Sequence, residues 1–263
     1  MPQSQHEAPP ARAPEWSSKE LADPHHHAQK ATKVRGMFSA IAGSYDLNNR
    51  LHSLWRDQAW RRAAVRTAAV KPGDHVLDMA CGTGDLTELF ARSAAARVVG
   101  GDFTPAMLEI ARTKQPRNLS PEHAAKVSYI EADAMNLEFA DASFDVLSIA
   151  FGIRNVLDPA RALREFARVL KPGGRLVILE FDRPGWFPMN WFHDLYCGWI
   201  MPRTATLISG DRSGAYKYLP RSVGTFMSRG QLSDLMGQSG FREVSSRGLS
   251  LGICVCYRGV RAT

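Results

Sequence analysis

The stretch Val76-Leu77-Asp78-Met79-Ala80-Cys81-Gly82-Thr83-Gly84-Asp85-Leu86-Thr87 decides the fold of this chain. Its apolar beginning predicts a short strand over residues 75–79, its small residues predict a loop, and a helix is expected from Asp85. Gly82 and Gly84 permit positive φ angles and let the backbone approach a ligand closely. The backbone N–H groups of such a loop, beside a helix N-terminus, favour polar or anionic groups. The stretch therefore predicts a strand–loop–helix unit that binds a ligand.

An acidic residue ends the next apolar run of the sequence. Asp102 follows the loop by about 20 residues, the spacing at which a carboxylate accepts ribose hydroxyls in a doubly wound α/β sheet. A dinucleotide loop would carry a third glycine, where this chain has Thr87. Asp78, at the strand tip, suits a cationic group better than a pyrophosphate. S-adenosylmethionine has a ribose, a zwitterionic amino acid and a sulfonium, so it fits better than NAD; an ordinary βα turn is the alternative.

Composition sets the limits of the interpretation. The chain has 263 residues and 44% hydrophobic content, which is enough for one α/β domain with additions. Its net charge of +7 favours an anionic partner, either nucleic acid or anionic lipid. A basic–aromatic strand typical of RNA-binding sheets is absent, so nucleic acid is not expected. Four cysteines show neither metal-ligand spacing nor a disulfide framework, which favours a reducing cytoplasm. No apolar run is long enough to span a bilayer, and no secretion signal is recognisable.

Two segments precede the first strand. Residues 1–30 are rich in Pro, Ala, Ser and Gln and are expected to be disordered, with His25 to His27 read as tail rather than as metal ligands. Residues 31–68 predict a helical lid of two helices around the turn at Ser44. The second helix carries Trp60 among several arginines. It either packs its tryptophan on the domain and exposes its arginines to water, or forms a lid whose basic face meets lipid headgroups.

Strands and helices alternate through most of the remaining sequence. Predicted strands cover 75–79, 97–102, 127–131, 145–151 and 175–181, and predicted helices cover 85–95, 105–114 and 158–170. This order predicts a mostly parallel sheet with right-handed crossovers. A helix over 230–239 and two closely spaced strands, 241–249 and 250–258, predict an antiparallel last strand.

An aromatic insertion over residues 183–229 interrupts this alternation. It contains Trp186, Trp191 and Trp199, followed by Asp211 and the run Tyr216-Lys217-Tyr218-Leu219-Pro220. The insertion either covers one side of the sheet or forms an apolar pocket for a large hydrophobic substrate at the carboxyl ends of the strands.

Further motifs carry a family resemblance. Asp133-Ala134 follows the third strand, Phe151-Gly152-Ile153-Arg154-Asn155-Val156 follows the fourth, and Lys171-Pro172-Gly173-Gly174 precedes the fifth. Together with Tyr45-Asp46 and Tyr216-Lys217-Tyr218-Leu219, they make residues 34–258 resemble the menaquinone and ubiquinone biosynthesis C-methyltransferases. The resemblance implies a class I methyltransferase fold, a Rossmann-like doubly wound sheet. It also implies methyl transfer from S-adenosylmethionine to a ring carbon of a polyprenylated quinol.

The resemblance also assigns site residues. The cofactor contacts expected from it and from the glycine loop are Asp78, Gly82, Thr83, Gly84, Asp102, Phe103, Asp133, Ala134 and Ala150. Ala150 stands where the family often has Ser, so a contact there would use the backbone. Asn48 and Asp57 replace the Met and His usual in the family, and both lie in the predicted lid.

Catalysis is expected to involve activation of a quinol hydroxyl. Arg154 is predicted to stabilise a phenolate, with Tyr45 and Asp46 in the lid as further catalytic candidates; Arg154 could instead brace its own loop. Asp57 and His193 are weaker candidates, with solvated polar positions as the alternative for both. The expected acceptor is demethylmenaquinol, with a ubiquinone precursor or another small hydrophobic molecule as alternatives, and a non-catalytic cofactor-binding protein as the rival class. A transient contact with the inner membrane surface is expected, while the oligomeric state is undetermined.

Overall fold

The chain is described by a computed structural model that covers residues 16–17, 20–25, 29–185, 187–209 and 214–263, without the side chains at 192–194, 197, 202, 208 and 209. Within these residues seven strands form one sheet in the order β3-β2-β1-β4-β5-β7-β6. Strand β7 is antiparallel to both β5 and β6, and all other neighbours are parallel. The strands are β1 His75–Met79, β2 Arg97–Asp102, β3 Val127–Glu131, β4 Phe144–Ala150, β5 Leu170–Phe181, β6 Phe241–Leu249 and β7 Cys254–Arg261.

Helices cover the faces of this sheet and its carboxyl edge. They are α1 Lys30–Ile41, α2 Tyr45–His52, α3 Arg56–Ala68, α4 Asp85–Ala91, α5 Pro105–Asn118, α6 Pro121–Ala124, α7 Pro159–Val169, α8 Met189–Leu195, α9 Met201–Ser209, α10 Ala215–Gly224 and α11 Arg229–Gln238. A π-helix, Tyr196–Ile200, joins α8 to α9. Proline at the first turn begins α5, α6 and α7, where a missing N–H costs nothing. No helix among the described residues is both long and apolar enough to cross a membrane.

The predicted fold class is confirmed, with local corrections. The antiparallel last strand is present, but it begins at Cys254 because Ser250–Gly252 forms a 3-10 turn in which Leu251 has a φ of 62°. The predicted lid of two helices is wrong, since three helices occupy this region. Leu54 and Trp55 both have positive φ, which ends α2 and starts α3 anew at Arg56.

The prediction of a disordered segment over residues 1–30 is wrong for its described part. Trp16 is buried and stacks on Tyr218 with ring centroids 4.6 Å apart. His25 Nε2 lies 3.0 Å from the carbonyl of Ser222, and Lys30 is only 1% exposed. Apolar contacts and buried hydrogen bonds offset the conformational entropy that composition alone suggested would dominate. His26 and His27 lie outside the described residues.

Two hydrophobic clusters sandwich the sheet. One contains residues of α7 and α11, and the other contains residues of α3 and α4. Strands β1 and β4, in the middle of the sheet, are buried on both faces, as expected of parallel strands covered by helices on each side. This central burial holds the carboxyl end of β1 rigid, and the glycine loop begins there.

Gly100 on β2 allows one close approach within this core. A Cβ atom at this position would lie 2.7 Å from Cδ1 of Tyr129, whose ring is buried against β2. No such contact exists at Gly237 in α11, where a Cβ atom would meet nothing within 4 Å. The glycine on β2 is therefore fixed by packing, and the glycine on the helix is not.

We expect Gly100→Ala to lower the free energy of unfolding by about 1–3 kcal/mol, because the added methyl forces the tyrosine ring to move. Gly237→Ala should raise it by about 0.5–1 kcal/mol, since alanine is the better helix former. Urea unfolding followed by circular dichroism measures both. Equal stability of the two variants would contradict the packing argument.

Candidate active site

A cavity opens at the carboxyl ends of β1, β2 and β4, where open α/β sheets bind ligands. About 830 Å³ of empty space lies within it, including its open mouth. Seven predicted site residues line it: Tyr45, Gly82, Asp102, Phe103, Asp133, Ala134 and Ala150. The other five, Asp46, Asp78, Thr83, Gly84 and Arg154, are not among the residues that line it.

The Asp102 carboxylate is held rigidly at the cavity wall. The backbone N–H of Gly82 donates to its Oδ2 and that of Thr104 to its Oδ1, both at 2.8 Å. Burial raises the pKa of this carboxyl, while the backbone donors work in the opposite direction. Each oxygen keeps a second lone pair for a donor in the cavity. Two fixed acceptors of this kind match the two hydroxyl donors of a ribose.

The glycine loop supplies the neighbouring wall. Gly82 has a φ of 55° and Gly84 a φ of 87°, so both use the left-handed region that glycine enters freely. A Cβ atom at Gly84 would also lie 2.4 Å from the Tyr129 hydroxyl oxygen. Cys81, inside the loop, is an inert thiol, because burial raises its pKa well above the usual value.

Asp78 does not face the cavity. Thr87 Oγ1 donates to its Oδ2 at 2.7 Å and Ser148 Oγ donates to its Oδ1 at 2.6 Å. Burial raises its pKa to about 6. Direct contact with a cationic ligand, expected from the position at the strand tip, is not what this geometry provides.

A flat apolar surface and a second carboxylate lie beyond Asp102. Phe103 is 37% exposed and faces the cavity, with the guanidinium of Arg35 5.1 Å from its ring centroid. Oδ1 of Asp133 accepts the backbone N–H of Met135 at 2.9 Å, and Ala134 lies beside it. A planar base with an exocyclic amino group has both an aromatic face and an acceptor here.

Helix α2 is latched across the glycine loop by charged side chains. Thr83 Oγ1 donates to Asp46 at 2.6 Å, and Lys114 Nζ reaches Asp46 at 2.5 Å and Asp85 at 2.8 Å. Arg50 pairs with Asp85 at 2.5 Å. Burial disfavours ionisation of Asp85, but the nearby cations outweigh it and hold its pKa at about 2. This latch places the Tyr45 ring over Gly82.

Asp57 extends the latch into α3. It is only 3% exposed and pairs with Arg50 and with Arg61, the latter at 3.0 Å. The expectation that Asp57 is either catalytic or solvated is therefore wrong, because both of its oxygens are engaged in structural contacts. Arg61 is buried rather than directed to water, whereas Arg56 and Arg62 are exposed. The side chain of His193 lies outside the described residues.

The two polar residues of the loop after β4, Arg154 and Asn155, have different surroundings. Arg154 is 2% exposed, and its Nη1 pairs with Glu180 at 2.5 Å and donates to the Phe151 carbonyl at 2.8 Å. Asn155 lines the cavity and accepts the Tyr218 hydroxyl at 3.0 Å. The contacts of Arg154 are those of a brace for its loop, and its catalytic role stays a prediction. Sequence reasoning missed that, of these two residues, Asn155 is the one that lines the cavity.

Helix α1 forms the apolar wall that was expected from the insertion. Ala31, Val34 and Phe38 line the cavity. No described residue of the insertion does so, which corrects the prediction of a pocket there. Its buried side chains pack instead on α1, and Asp211 and Trp186 lie outside the described residues. Lys30 ties α1 to the loop after β4 through the carbonyls of residues 154 and 156, and burial together with the Arg154 charge lowers its pKa to about 8.

Comparison with known proteins identifies this arrangement. The sequence model of the ubiE/COQ5 methyltransferase family matches residues 26–261 of this chain. The chain belongs to this family. A demethylmenaquinone methyltransferase from Thermus thermophilus is 44% identical, with 86% of this chain and 100% of that protein covered. A ubiquinone/menaquinone biosynthesis C-methyltransferase from Cronobacter sakazakii is 39% identical, with 89% and 92% covered.

Solved structures agree on the fold. A SAM-dependent methyltransferase from Thermotoga maritima superposes with a TM-score of 0.60 at 23% identity, covering 86% of this chain and 98% of that one. The [4+2]-cyclase SpnF has the same TM-score at 19% identity, covering 78% and 82%. At this identity the likeness concerns the fold, which is that of class I methyltransferases.

S-adenosylmethionine is the cofactor of this methyltransferase, and the cavity fits it. Asp102 offers fixed acceptors for the ribose, Phe103 and Asp133 suit the adenine, and the glycine loop exposes backbone at the other end. These residues come from the ends of three strands that only the sheet brings together. We expect the same residues to hold the cofactor in solution.

The Asp78 carboxyl generates a prediction about pH. The folded chain holds its proton more tightly than the unfolded chain, where its pKa is about 3.8. Its contribution to stability therefore falls as pH rises from about 4 to about 6 and stays lost above that. Relative to the parent, Asp78→Asn should gain up to about 3 kcal/mol between pH 4 and pH 7, because one pKa unit corresponds to about 1.4 kcal/mol. Urea unfolding across this range measures it, with the exposed Asp234→Asn as control; a constant difference would refute the shift.

If the latch holds α2 over the glycine loop, weakening it should make α2 open locally more often. Lys114→Met should speed hydrogen exchange of the α2 amides about fivefold, because this half-buried ion pair contributes on the order of 1 kcal/mol to closure. Lys171→Met removes an ion pair with Asp145 that lies away from the lid, so α2 should exchange as in the parent. Mass spectrometry resolves the peptides. Unchanged α2 exchange in Lys114→Met would show that the latch does not hold the lid.

Proposed function

We propose that this enzyme methylates a ring carbon of a reduced polyprenylated naphthoquinol, converting demethylmenaquinol to menaquinol. The observation that carries the proposal is one cavity with two unlike halves. Asp102 and Gly82 form a polar half suited to the cofactor, while Val34 and Phe38 form an apolar half suited to fused rings. Relatives from Thermus thermophilus and Deinococcus radiodurans, named demethylmenaquinone methyltransferases, are 44% and 43% identical.

A benzoquinol precursor of ubiquinone is the alternative acceptor. Relatives named ubiquinone/menaquinone biosynthesis C-methyltransferases share 37–39% identity with this chain. Both acceptors present a hydroxyl beside the methylated carbon and carry an apolar tail. Because such tails reside in bilayers, we place the reaction at the inner face of the cytoplasmic membrane, with the enzyme bound only peripherally.

The residues around the cavity define how the reaction would proceed. S-adenosylmethionine supplies a methyl group on a sulfonium centre. The protein aligns this donor with the acceptor ring and excludes water, and such orientation supplies up to roughly 7–11 kcal/mol in favourable cases. Loss of the acceptor hydroxyl proton to water makes the neighbouring ring carbon electron-rich, and the proton of that carbon leaves to water once the methyl group has been attached. The protein must therefore stabilise an oxyanion.

Asn155 and Tyr45 are the groups we assign to that oxyanion. Asn155 Nδ2 donates one N–H to the Phe151 carbonyl at 3.2 Å, which leaves the other for a ligand in the cavity. The Tyr218 hydroxyl fixes the amide from the opposite end. Burial raises the pKa of Tyr45, so its phenol stays protonated and serves as a donor rather than a base. Arg154 and Asp46 then act as positioning residues for these two.

Cofactor binding is tested first. Asp102→Ala should weaken S-adenosylmethionine binding at least tenfold, because hydrogen bonds to a charged group contribute roughly 1.5–3 kcal/mol each. Isothermal titration calorimetry measures the dissociation constant, and Asp234→Ala is the exposed control. Equal affinity of Asp102→Ala and the parent would remove this carboxylate from the site.

Acceptor chemistry is tested by label transfer from methyl-labelled cofactor to matched reduced and oxidised naphthoquinones and benzoquinones. The reduced naphthoquinone should be methylated on carbon, with the position located by NMR, and the oxidised form should be inert because it has no hydroxyl to ionise. Label on oxygen or nitrogen, or equal rates on both redox forms, would overturn the mechanism.

Substitutions distinguish the roles of Asn155 and Arg154 in the loop after β4. Asn155→Ala should lower kcat about 100-fold with little change in cofactor affinity, because it removes a donor to charge in the transition state. Asn118→Ala, which removes a contact with Glu88 on α4, is the matched control. Arg154→Met/Glu180→Gln leaves no unpaired buried carboxylate, and a milder loss of kcat is expected for a brace. A greater loss in this double variant than in Asn155→Ala would instead assign the chemistry to Arg154.

A further inference from the structure

Many of the exposed large hydrophobic side chains belong to the lid and to the helices of the insertion. Leu54 is 80% exposed and Trp55 is 59% exposed, although both are large hydrophobic residues. The set, which we call the lid face, comprises Leu47, Leu51, Leu54, Trp55, Trp191, Leu195, Trp199 and Leu207. Single exposed hydrophobic residues are ordinary, but several exposed leucines and tryptophans on neighbouring helices mark an interaction surface.

The two halves of this face are joined. His52, at the end of α2, has its Nδ1 2.9 Å from the hydroxyl of Tyr196, the first residue of the π-helix. The same hydroxyl donates to the His52 carbonyl at 3.1 Å. Helix α2 also packs against α9. The lid and the insertion helices therefore lie side by side.

The two sides of helix α2 make different contacts. Tyr45 faces the cavity, and Asp46 and Arg50 form the latch to the glycine loop. Leu47 and Leu51, four residues apart, share the outward side. One short helix thus closes the site with one side and offers leucines to the exterior with another.

The turn after α2 has a strained backbone at Leu54 and Trp55. Leu54 has a φ of 50° and Trp55 a φ of 60°, a conformation that bulky residues rarely adopt and that glycine would adopt freely. Packing within the protein does not account for this choice, because both side chains are exposed. Strain of this kind tends to persist where the presented side chains have a function.

Cations flank these apolar side chains. The guanidinium of Arg203 lies 4.5 Å from the ring centroid of Trp199, and Arg56 directly follows Trp55. Both arginines are exposed, and neither forms an ion pair with a carboxylate among the described residues. Tryptophan and leucine beside unpaired arginine is the composition of protein surfaces that lie in the headgroup region of anionic bilayers. Charge complementarity therefore selects a lipid surface as the occupant.

We propose that the lid face is the surface by which this enzyme docks reversibly on a bilayer containing anionic lipids. The leucines and tryptophans enter the headgroup region, and Arg56 and Arg203 meet lipid phosphates. Because α2 carries both the leucines and the latch, docking places the movable wall of the cavity against the lipid. The delivery of a tailed acceptor from the bilayer rests on the proposed function, whereas the docking itself does not.

Vesicle co-sedimentation tests the surface directly. The full chain should pellet with phosphatidylglycerol–phosphatidylcholine vesicles and much less with pure phosphatidylcholine or at high salt. Leu54→Ser/Trp55→Ser should lower the partition coefficient at least tenfold, and Arg56→Gln/Arg203→Gln about 25-fold on anionic vesicles, since each arginine contributes about a fivefold effect. Gln238→Glu, at the exposed end of α11, which packs on the other side of the sheet from α3, should bind as the parent does.

Three results would overturn the proposal. The first is a parent chain that pellets with none of these vesicles. The second is parental binding by Leu54→Ser/Trp55→Ser with native circular dichroism, which would place any docking elsewhere. The third is a dimer in analytical ultracentrifugation that this double variant dissociates, which would assign the lid face to a second copy of the chain.

Turnover separates docking from the proposed function. With a short-tailed, water-soluble quinol, Leu54→Ser/Trp55→Ser should keep the parental kcat. With a polyprenylated quinol in vesicles, the same variant should turn over at least tenfold more slowly. An equal rate in vesicles would overturn delivery through the lid face. Inactivity of the parent on every quinol would refute the proposed function and leave the vesicle-binding result standing.

Discussion

The carboxylate of Asp102 is the interaction on which the site depends. It accepts one backbone N–H from the glycine loop and one from the start of the next helix, so it joins the ends of β1 and β2. Both strands are buried in the parallel part of the sheet, which allows these ends little freedom. Burial raises the pKa of this carboxyl and the backbone donors counteract that effect. The resulting fixed acceptors give the cavity its polar half without any side chain having to move.

Closure of the cavity uses a different kind of interaction. Helix α2 is held over the glycine loop by half-buried ion pairs that involve Asp46, Lys114, Asp85 and Arg50. Such pairs are individually weak and can open, whereas apolar packing of the same area would hold the lid shut. A lid that must admit a cofactor and a bulky acceptor needs this reversibility. The same helix leaves its leucines outside the protein core, so its stability in place depends on the latch.

The loop after β4 shows how a buried charge can serve a neighbouring residue. Arg154 and Glu180 neutralise each other in the interior, and Lys30 binds the carbonyls on either side of Asn155. Buried pairs of this kind add little net stability, but they define one geometry for the backbone that carries them. The benefit falls on Asn155, whose amide is thereby fixed at the cavity wall. Residues near the N-terminus contribute to this geometry although their composition suggested disorder.

Sequence by itself determined the fold class, the glycine loop, the position of Asp102 and the strands that carry them. These features follow from local periodicity and from a spacing of about 20 residues along one βαβ unit. Tertiary structure alone decided which polar residues face the cavity. Arg154 and Asn155 are adjacent in sequence, yet packing against Glu180 and Tyr218 turns one inward and the other toward the cavity. It also decided that α1 rather than the insertion forms the apolar wall, because that contact joins segments that sequence patterns do not relate.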